Sequence, residues 1–125
     1  MKIDVHKLEA AIEELKGQLK EGLIATDIWD RQTGLSLAAF NSLPTAVALF
    51  TQIVKTLGDT LQSSGFPKMK RYFFIELEDD KTTMIILHGN DLLQGIVLDT
   101  AKVNLGLLLV MALPATIEAV RAARS

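Results

Sequence analysis

Apolar residues recur at spacings of three and four near the start of the chain, and charged residues fill the positions between them. This is the pattern of a helix with one buried face. Asp4 is placed to cap its first turn, and Glu21-Gly22 is placed to end it. The apolar stripe consists of Val5, Leu8, Ile12, Leu15 and Leu19.

Two short strand patterns and a longer helical pattern follow. Residues 23–29 and 35–40 flank a turn sequence that contains Asp30 and Gly34, which predicts a first hairpin. Ser42 as the cap and Pro44 in the first turn then predict a helix that extends to about residue 62.

That helix carries an unusually wide apolar arc, which includes Val47, Phe50 and Val54. At about 100° per residue the arc covers roughly 160°. Gly58 lies just beyond its edge, where the missing Cβ permits a close approach. Two interpretations remain open: a broad core stripe, or a helix that contacts both its own sheet and a partner helix.

Residues 71–98 contain three strand patterns separated only by tight turns. Asp79-Asp80 suits the first turn, and Gly89-Asn90 is typical of two-residue hairpins. The middle pattern, residues 82–87, is apolar on both faces of the strand. We therefore predict an antiparallel meander in a sheet that has helices on both sides.

A last helix is predicted from about residue 103 to residue 124, and it is apolar nearly all round between residues 105 and 113. Pro114 should kink it, because its ring clashes with the carbonyl of Val110. The most apolar stretch, residues 105–117, is shorter than the roughly 20 residues that cross a bilayer. We interpret it as a buried helix and expect no membrane insertion.

Composition narrows the class of protein. A chain of 125 residues with 49% hydrophobic residues fits one domain, residues 1–125. A net charge of -2 provides no basic field, so nucleic acid is not an expected partner. The absence of cysteine and of a visible export signal at the N-terminus favours the cytoplasm.

The sequence offers no evident reaction centre. His6 and His88 lack the spacing of a metal site, and Asp79, Asp80 and Asp91 are interpreted as turn residues. No glycine-rich phosphate loop is present, so the chain is not expected to bind GTP itself. We predict no catalytic, cofactor-binding or metal-binding residue and no enzymatic activity; Trp29 is interpreted as core, with a partner anchor as the alternative.

Three motifs in order along the chain resemble the roadblock / dynein light chain family. Each is weak alone, but together they span nearly the whole sequence. They are Glu21-Gly22-Leu23-Ile24-Ala25 with Asp30 and Gly34, residues 89–93 continuing into 96–99, and Val103-Asn104-Leu105-Gly106.

This resemblance implies a profilin-like α/β three-layer sandwich. Its five-stranded antiparallel sheet would have the order 2-1-5-4-3, with the central helix on one face and the terminal helices on the other. It also implies a homodimer formed through the third strand and the central helix. The dimer-interface residues predicted here are Val47, Phe50, Val54, Gly58, Tyr72, Phe74 and Glu76.

The resemblance further implies a non-enzymatic regulator or scaffold that acts on or with a small Ras-like GTPase. Residues 107–111 depart from the common bacterial pattern, since they are apolar where charge is more usual. That surplus is either core or a second protein contact. Two alternatives stay open: a small-molecule-sensing α/β domain, which requires a sizeable cavity, and an enzyme.

Overall fold

The computed structural model describes residues 2–124. Its helices and strands follow one another in the order that the sequence pattern predicts. The helices are α1 (Val5–Leu19), extended by a 3₁₀ turn (Lys20–Gly22), α2 (Pro44–Ser63) and the last helix (Leu105–Ala123). The strands are β1 (Leu23–Asp30), β2 (Ser36–Phe40), β3 (Tyr72–Leu77), β4 (Lys81–His88) and β5 (Leu92–Asp99).

The five strands form one antiparallel sheet in the order β2-β1-β5-β4-β3. Side chains on one face pack against α2, and side chains on the other pack against α1 and the last helix. This is the predicted three-layer sandwich, and the prediction of the fold class is confirmed.

The core lies on both faces of the central strands, which explains why β4 is apolar on both sides. Met84 and Ile86 of β4 point towards α1 and the last helix, whereas Ile85 points towards α2. All three are completely buried. A strand with helices on both faces needs no polar side, so the two-sided pattern correctly predicted the layers.

The start of α1 is as predicted, whereas the start of α2 is not. The Asp4 carboxylate accepts a hydrogen bond from the Lys7 backbone N–H. The predicted cap Ser42 is wrong, because Leu43 holds the cap position without a side-chain bond. The Ser42 hydroxyl instead donates to Asp27 on β1, where a buried carboxylate needs donors.

The hairpins of the meander are wider than predicted. The strand register pairs Leu77 with Lys81 and His88 with Leu92, so each loop contains three residues. The two-residue loop expected from Gly89-Asn90 is therefore wrong, whereas Asp79-Asp80 does turn the first strand pair as predicted. Asp79, Asp80 and Gly89 all adopt the positive φ angles that such sequences favour.

A wider helical turn precedes Pro114, where a kink was predicted. Residues Leu108–Ala112 form a π-helical segment, in which the Leu113 N–H bonds the Leu108 carbonyl five residues earlier. Since Pro114 has no N–H to donate, one additional residue in the turn accommodates it within a continuous helix. The helix begins at Leu105, and the Asn104 side chain caps it.

Candidate protein interface

Strand β3 forms one edge of the sheet. Among residues 2–124, only β4 is hydrogen-bonded to it. The Arg71 carbonyl accepts a hydrogen bond from the Leu87 N–H at 2.6 Å. Because residues of an edge strand face the neighbouring strand alternately, this bond shows which residues of β3 bond to β4. Backbone groups of Tyr72, Phe74 and Glu76 therefore point away from β4. They present a row of donors and acceptors with which another strand can pair.

The same three residues share one side-chain face, which is the face of the last helix. Tyr72 and Phe74 are paired with Ile86 and Met84, whose side chains lie on that face. The rings of Tyr72 and Phe74 meet edge to face, with their centroids 5.9 Å apart. They are 40% and 37% exposed, so a large part of each aromatic surface is open to contact.

Charges are divided between the two ends of this edge strand. Basic residues precede it, namely Lys68, Lys70 and Arg71, and acidic residues end and follow it, namely Glu76, Glu78, Asp79 and Asp80. All seven are exposed. A second β3 that lies antiparallel would place its basic end beside the acidic end of the first, which is the favourable arrangement.

The structure separates the predicted interface residues of α2 from those of β3. Val54 is completely buried within the protomer, and Val47 and Phe50 nearly so, against Trp29, Ile85 and Leu93. Their side chains are occupied by the chain's own core. Of the two interpretations of the wide arc, core describes these three residues.

Gly58 lies on the side of α2 that faces β1. Thr51, seven residues earlier and so on the same side, accepts a hydrogen bond from the Trp29 indole N–H at 2.9 Å. A Cβ added at Gly58 would meet nothing within 4 Å. Gly58 is therefore open within the protomer, and its place at a dimer interface stays a prediction.

The predicted arc of α2 also contains a second apolar row, which was not among the predicted interface residues. Leu49, Ile53 and Leu57 follow at intervals of four; Leu49 and Leu57 are exposed and Ile53 is partly buried. Leu49 and Ile53 lie on the side of the helix opposite Thr51 and hence away from β1. The signal was present in the width of the arc, but the pattern alone does not say which part of an arc faces the sheet.

The first half of the last helix is apolar on its outer surface as well as on its inner one. Leu108, Ala112 and Leu113 are buried against the sheet. Exposed apolar residues surround them, namely Leu105, Leu107, Leu109, Val110 and Met111. By length and composition this 19-residue helix could cross a membrane. The prediction of a buried helix is wrong for its outer face, because these five residues are exposed.

A buried chain of hydrogen bonds links β4, β5 and β1. His88 Nε2 lies 2.9 Å from Gln94 Oε1, Gln94 Nε2 donates to the Thr26 hydroxyl, and that hydroxyl donates to the Gly95 carbonyl. Because the Gln94 amide already donates to Thr26, His88 Nε2 is the donor in its bond. Burial lowers the pKa of His88 from 6.5 to about 4, so the ring is neutral.

Asp91 lies in the turn predicted for it, between His88 and Leu92, and its side chain also has a tertiary partner. Its carboxylate receives two hydrogen bonds from the Arg124 guanidinium, from Nη2 at 2.5 Å and from Nε at 3.3 Å. Both side chains are about three-quarters buried. The other predicted histidine, His6, is exposed and lies 3.4 Å from Glu9. The Asp91–Arg124 ion pair therefore has a structural role, since it fastens the end of the last helix to the β4–β5 turn.

A small cavity lies between α2 and the sheet, beside Asp27, Trp29, Phe50 and Gly95. Its volume is about 20 Å³, which is the space of a single water molecule. The Asp27 carboxylate at its wall is already bonded by the hydroxyls of Ser36 and Ser42. A small-molecule pocket needs roughly 300 Å³ or more, so this cavity does not favour the sensor alternative.

Solved structures with the same fold include MglB and Roadblock/LC7 domains. Myxococcus xanthus MglB is 14% identical with a TM-score of 0.80, over 98% of this chain and 91% of that one. A structure of MglB with a tetrameric arrangement is 20% identical with a TM-score of 0.72, over 94% and 90%. A Roadblock/LC7 domain from Streptomyces avermitilis is 13% identical with a TM-score of 0.66, over 91% and 94%.

No protein-family model matches the sequence, and no curated protein does. At such low identities the likeness to solved structures establishes the fold alone. It covers at least nine-tenths of the chain in each of the three comparisons, from α1 through the meander to the last helix. By its fold, the chain is similar to the Roadblock/LC7 domains and to MglB.

Proposed function

We propose that this chain is a cytoplasmic homodimeric regulator or scaffold that acts with a small Ras-like GTPase and has no catalytic chemistry of its own. The observation that carries the proposal is the free β3 edge, with its outward backbone groups and half-exposed aromatic rings, in a chain with the MglB fold. A regulator of this kind needs a surface that another protein recognises, and this edge supplies one.

Self-association is supported by the shape and charge of the edge. Tyr72, Phe74 and Glu76 offer unpaired backbone groups, and basic and acidic residues lie at opposite ends of the strand. Two antiparallel copies would satisfy the backbone groups of both edges and match their charges. A contact of standard size, roughly 800 Å² per partner, would also draw in the nearby apolar row of α2.

The GTPase partner is supported by the family resemblance of the sequence and by the surface of α2. Leu49 and Leu57 are exposed apolar residues on a regular helix. In a dimer joined through β3 the two α2 helices lie on the same face of one continuous sheet, because a two-fold axis perpendicular to the sheet preserves its faces. That face would offer a partner a larger surface than either protomer alone.

Light scattering at micromolar concentration tests the dimer. We expect the mass of two chains for the wild type and of one chain for Phe74→Glu, which places a charge at the proposed strand junction. Leu35→Glu is the matched control, since Leu35 is 63% exposed and precedes β2 at the opposite edge of the sheet. A monomeric wild type, or a Phe74→Glu protein that stays dimeric, would refute the interface.

Binding to purified candidate GTPases from the native cell tests the partner. Each GTPase is loaded with GDP or with a non-hydrolysable GTP analogue and passed over the immobilised dimer. We expect one of them to be retained in one nucleotide state, and we expect Leu49→Glu to weaken that retention. Failure to retain any GTPase in either state would reject the partner class while leaving the dimer untouched.

A further inference from the structure

The first half of the last helix has an outer surface that the core does not explain. No charged residue occurs between Lys102 and Glu118. Five apolar residues of this stretch remain exposed, and Val110 reaches 76%. Single exposed apolar residues are ordinary, but a contiguous set on one helix is characteristic of a contact surface.

This surface is continuous with the free edge of the sheet. A groove separates the helix from β3, and Tyr72 lines one wall while Leu109 and Leu113 line the other. Arg71 and Glu118 lie in the same groove. The exposed ring of Tyr72 and the exposed side chain of Leu109 therefore belong to one continuous surface that begins on the strand and continues onto the helix, and this surface also carries the charges of Arg71 and Glu118.

The sheet geometry fixes how far apart two such helices would lie in a β3-joined pair. The helix packs on Met84 and Ile86 of β4, so the relevant separation is that between the two β4 strands. It spans three strand intervals of about 4.8 Å, or roughly 14 Å. Helices in direct contact lie about 8–10 Å apart, so a third helix does not fit between them. A layer of side chains does.

We infer that the last helix forms a second layer of the self-contact: Leu109 of one copy closes over Tyr72 and Phe74 at the joined β3 edges, opposite the α2 layer. The inference rests on the dimer of the proposed function. It adds a contact on the opposite face of the sheet from α2. It assigns a role to the apolar residues at 107–111.

A second copy suits this surface better than another occupant for two reasons. The apolar residues of the helix adjoin the one sheet edge whose charges are arranged to meet an antiparallel copy of itself. The side chains that would fill the gap of roughly 14 Å are also already present, since each copy contributes Leu109, Tyr72 and Phe74. A foreign helix would have to displace them.

Two variants on the same helix test the contact. Leu109 is 43% exposed and faces the β3 groove, whereas Met111 is 54% exposed and does not line that groove. We expect Leu109→Gln to raise the dimer dissociation constant about tenfold or more, because the symmetric contact loses two apolar side chains. Met111→Gln should change it less than twofold. Equal effects of the two variants, or none from Leu109→Gln, would overturn the inference.

Distance measurements distinguish failure of this layer from failure of the dimer. The chain contains no cysteine, so Phe74→Cys and Leu109→Cys each introduce a unique labelling site. In the dimer we expect Phe74→Cys to form an intermolecular disulfide and spin labels at Leu109→Cys to lie on the order of 20 Å apart. Helix labels more than twice that distance apart would contradict the joined β3 edges themselves. Cross-linked strands with labels at the expected distance, together with no effect of Leu109→Gln on the dissociation constant, would overturn the second layer alone. A monomeric wild type would overturn both.

Discussion

The guanidinium of Arg124 grips the carboxylate of Asp91 with two nitrogens, although 33 residues separate them in the chain. The same guanidinium lies close to the Gly89 Cα, where a side chain would collide with it. The Asp4 N–H donates a hydrogen bond to the nearby Ala123 carbonyl, so the start of α1 is bonded to the end of the last helix. The ion pair therefore closes the fold at the point where its last helix ends.

Replacement of Arg124 by Gln is expected to destabilise the protein by about 1–3 kcal/mol, because a largely buried Asp91 carboxylate loses its charged partner. Arg124→Lys should recover only part of this, since an ammonium group cannot form the two-pronged contact. Urea unfolding of both variants, with Arg121→Gln as the exposed control, measures the difference. Equal stability of Arg124→Gln and Arg121→Gln would show that the pair contributes nothing.

His88 makes stability depend on pH in a defined window. Burial holds the pKa of His88 at about 4 in the folded chain, against 6.5 for the free side chain. Between pH 4 and pH 6.5 the imidazole is therefore protonated in the unfolded state and neutral in the folded state. The contribution is fully present above pH 6.5 and is lost as the pH falls towards 4, by up to roughly 3 kcal/mol.

The check is the free energy of unfolding of the wild type and of His88→Gln, measured between pH 4 and pH 7. The difference between the two proteins should narrow as the pH falls, since only the wild type carries the buried imidazole. His6→Gln serves as the control, because His6 is exposed and its removal should leave the wild-type slope unchanged. A wild-type slope that persists in His88→Gln would assign the effect to other groups.

The indole N–H of buried Trp29 is satisfied by a single hydroxyl group, that of Thr51. The Thr51 hydroxyl accepts from the indole N–H and donates to the Val47 carbonyl. Thr51→Val keeps the shape but leaves the indole N–H without its partner, and we expect a cost of about 1–3 kcal/mol. Thr51→Ser, which retains the hydroxyl, should cost less. The fluorescence of Trp29, the sole tryptophan, reports both unfolding curves.

Much of the fold was predictable because strand and helix patterns are local. The two-sided apolar pattern of β4 correctly implied helices on both faces of the sheet. The strand pattern at residues 71–77 correctly indicated β3, and the period of two puts Tyr72, Phe74 and Glu76 on one face of it. The topology came from the family resemblance rather than from the patterns.

What the sequence did not reveal depends on tertiary placement. The arc of α2 contains buried Val54 and exposed Leu49 alike, and only docking on the sheet decides between them. The bond between Asp91 and Arg124 joins distant segments, so a local pattern assigned Asp91 to a turn. Ser42 resembled a helix cap for the same reason, while its true partner, Asp27, lies on a neighbouring strand.

Two glycines that look alike in sequence should respond in opposite ways to alanine. A Cβ at Gly95, in the central strand β5, would lie 3.1 Å from a ring carbon of Phe50 and 3.4 Å from one of Trp29, whereas a Cβ at Gly58 meets open space. We expect Gly95→Ala to destabilise the protein by about 1–3 kcal/mol through overpacking and Gly58→Ala, in mid-helix, to stabilise it by about 0.5–1 kcal/mol.

Urea unfolding of both single variants and of Gly95→Ala combined with Phe50→Leu separates crowding from other causes. If the Phe50 ring is what the new methyl group meets, the double variant should be more stable than the sum of the two single changes predicts. Strictly additive costs would place the defect in the backbone of β5 instead. Light scattering of Gly58→Ala tests the predicted place of this glycine at the interface, because an added methyl group would hinder a close approach by a partner. A monomeric Gly58→Ala protein would support that prediction, and an unchanged dimer mass would contradict it.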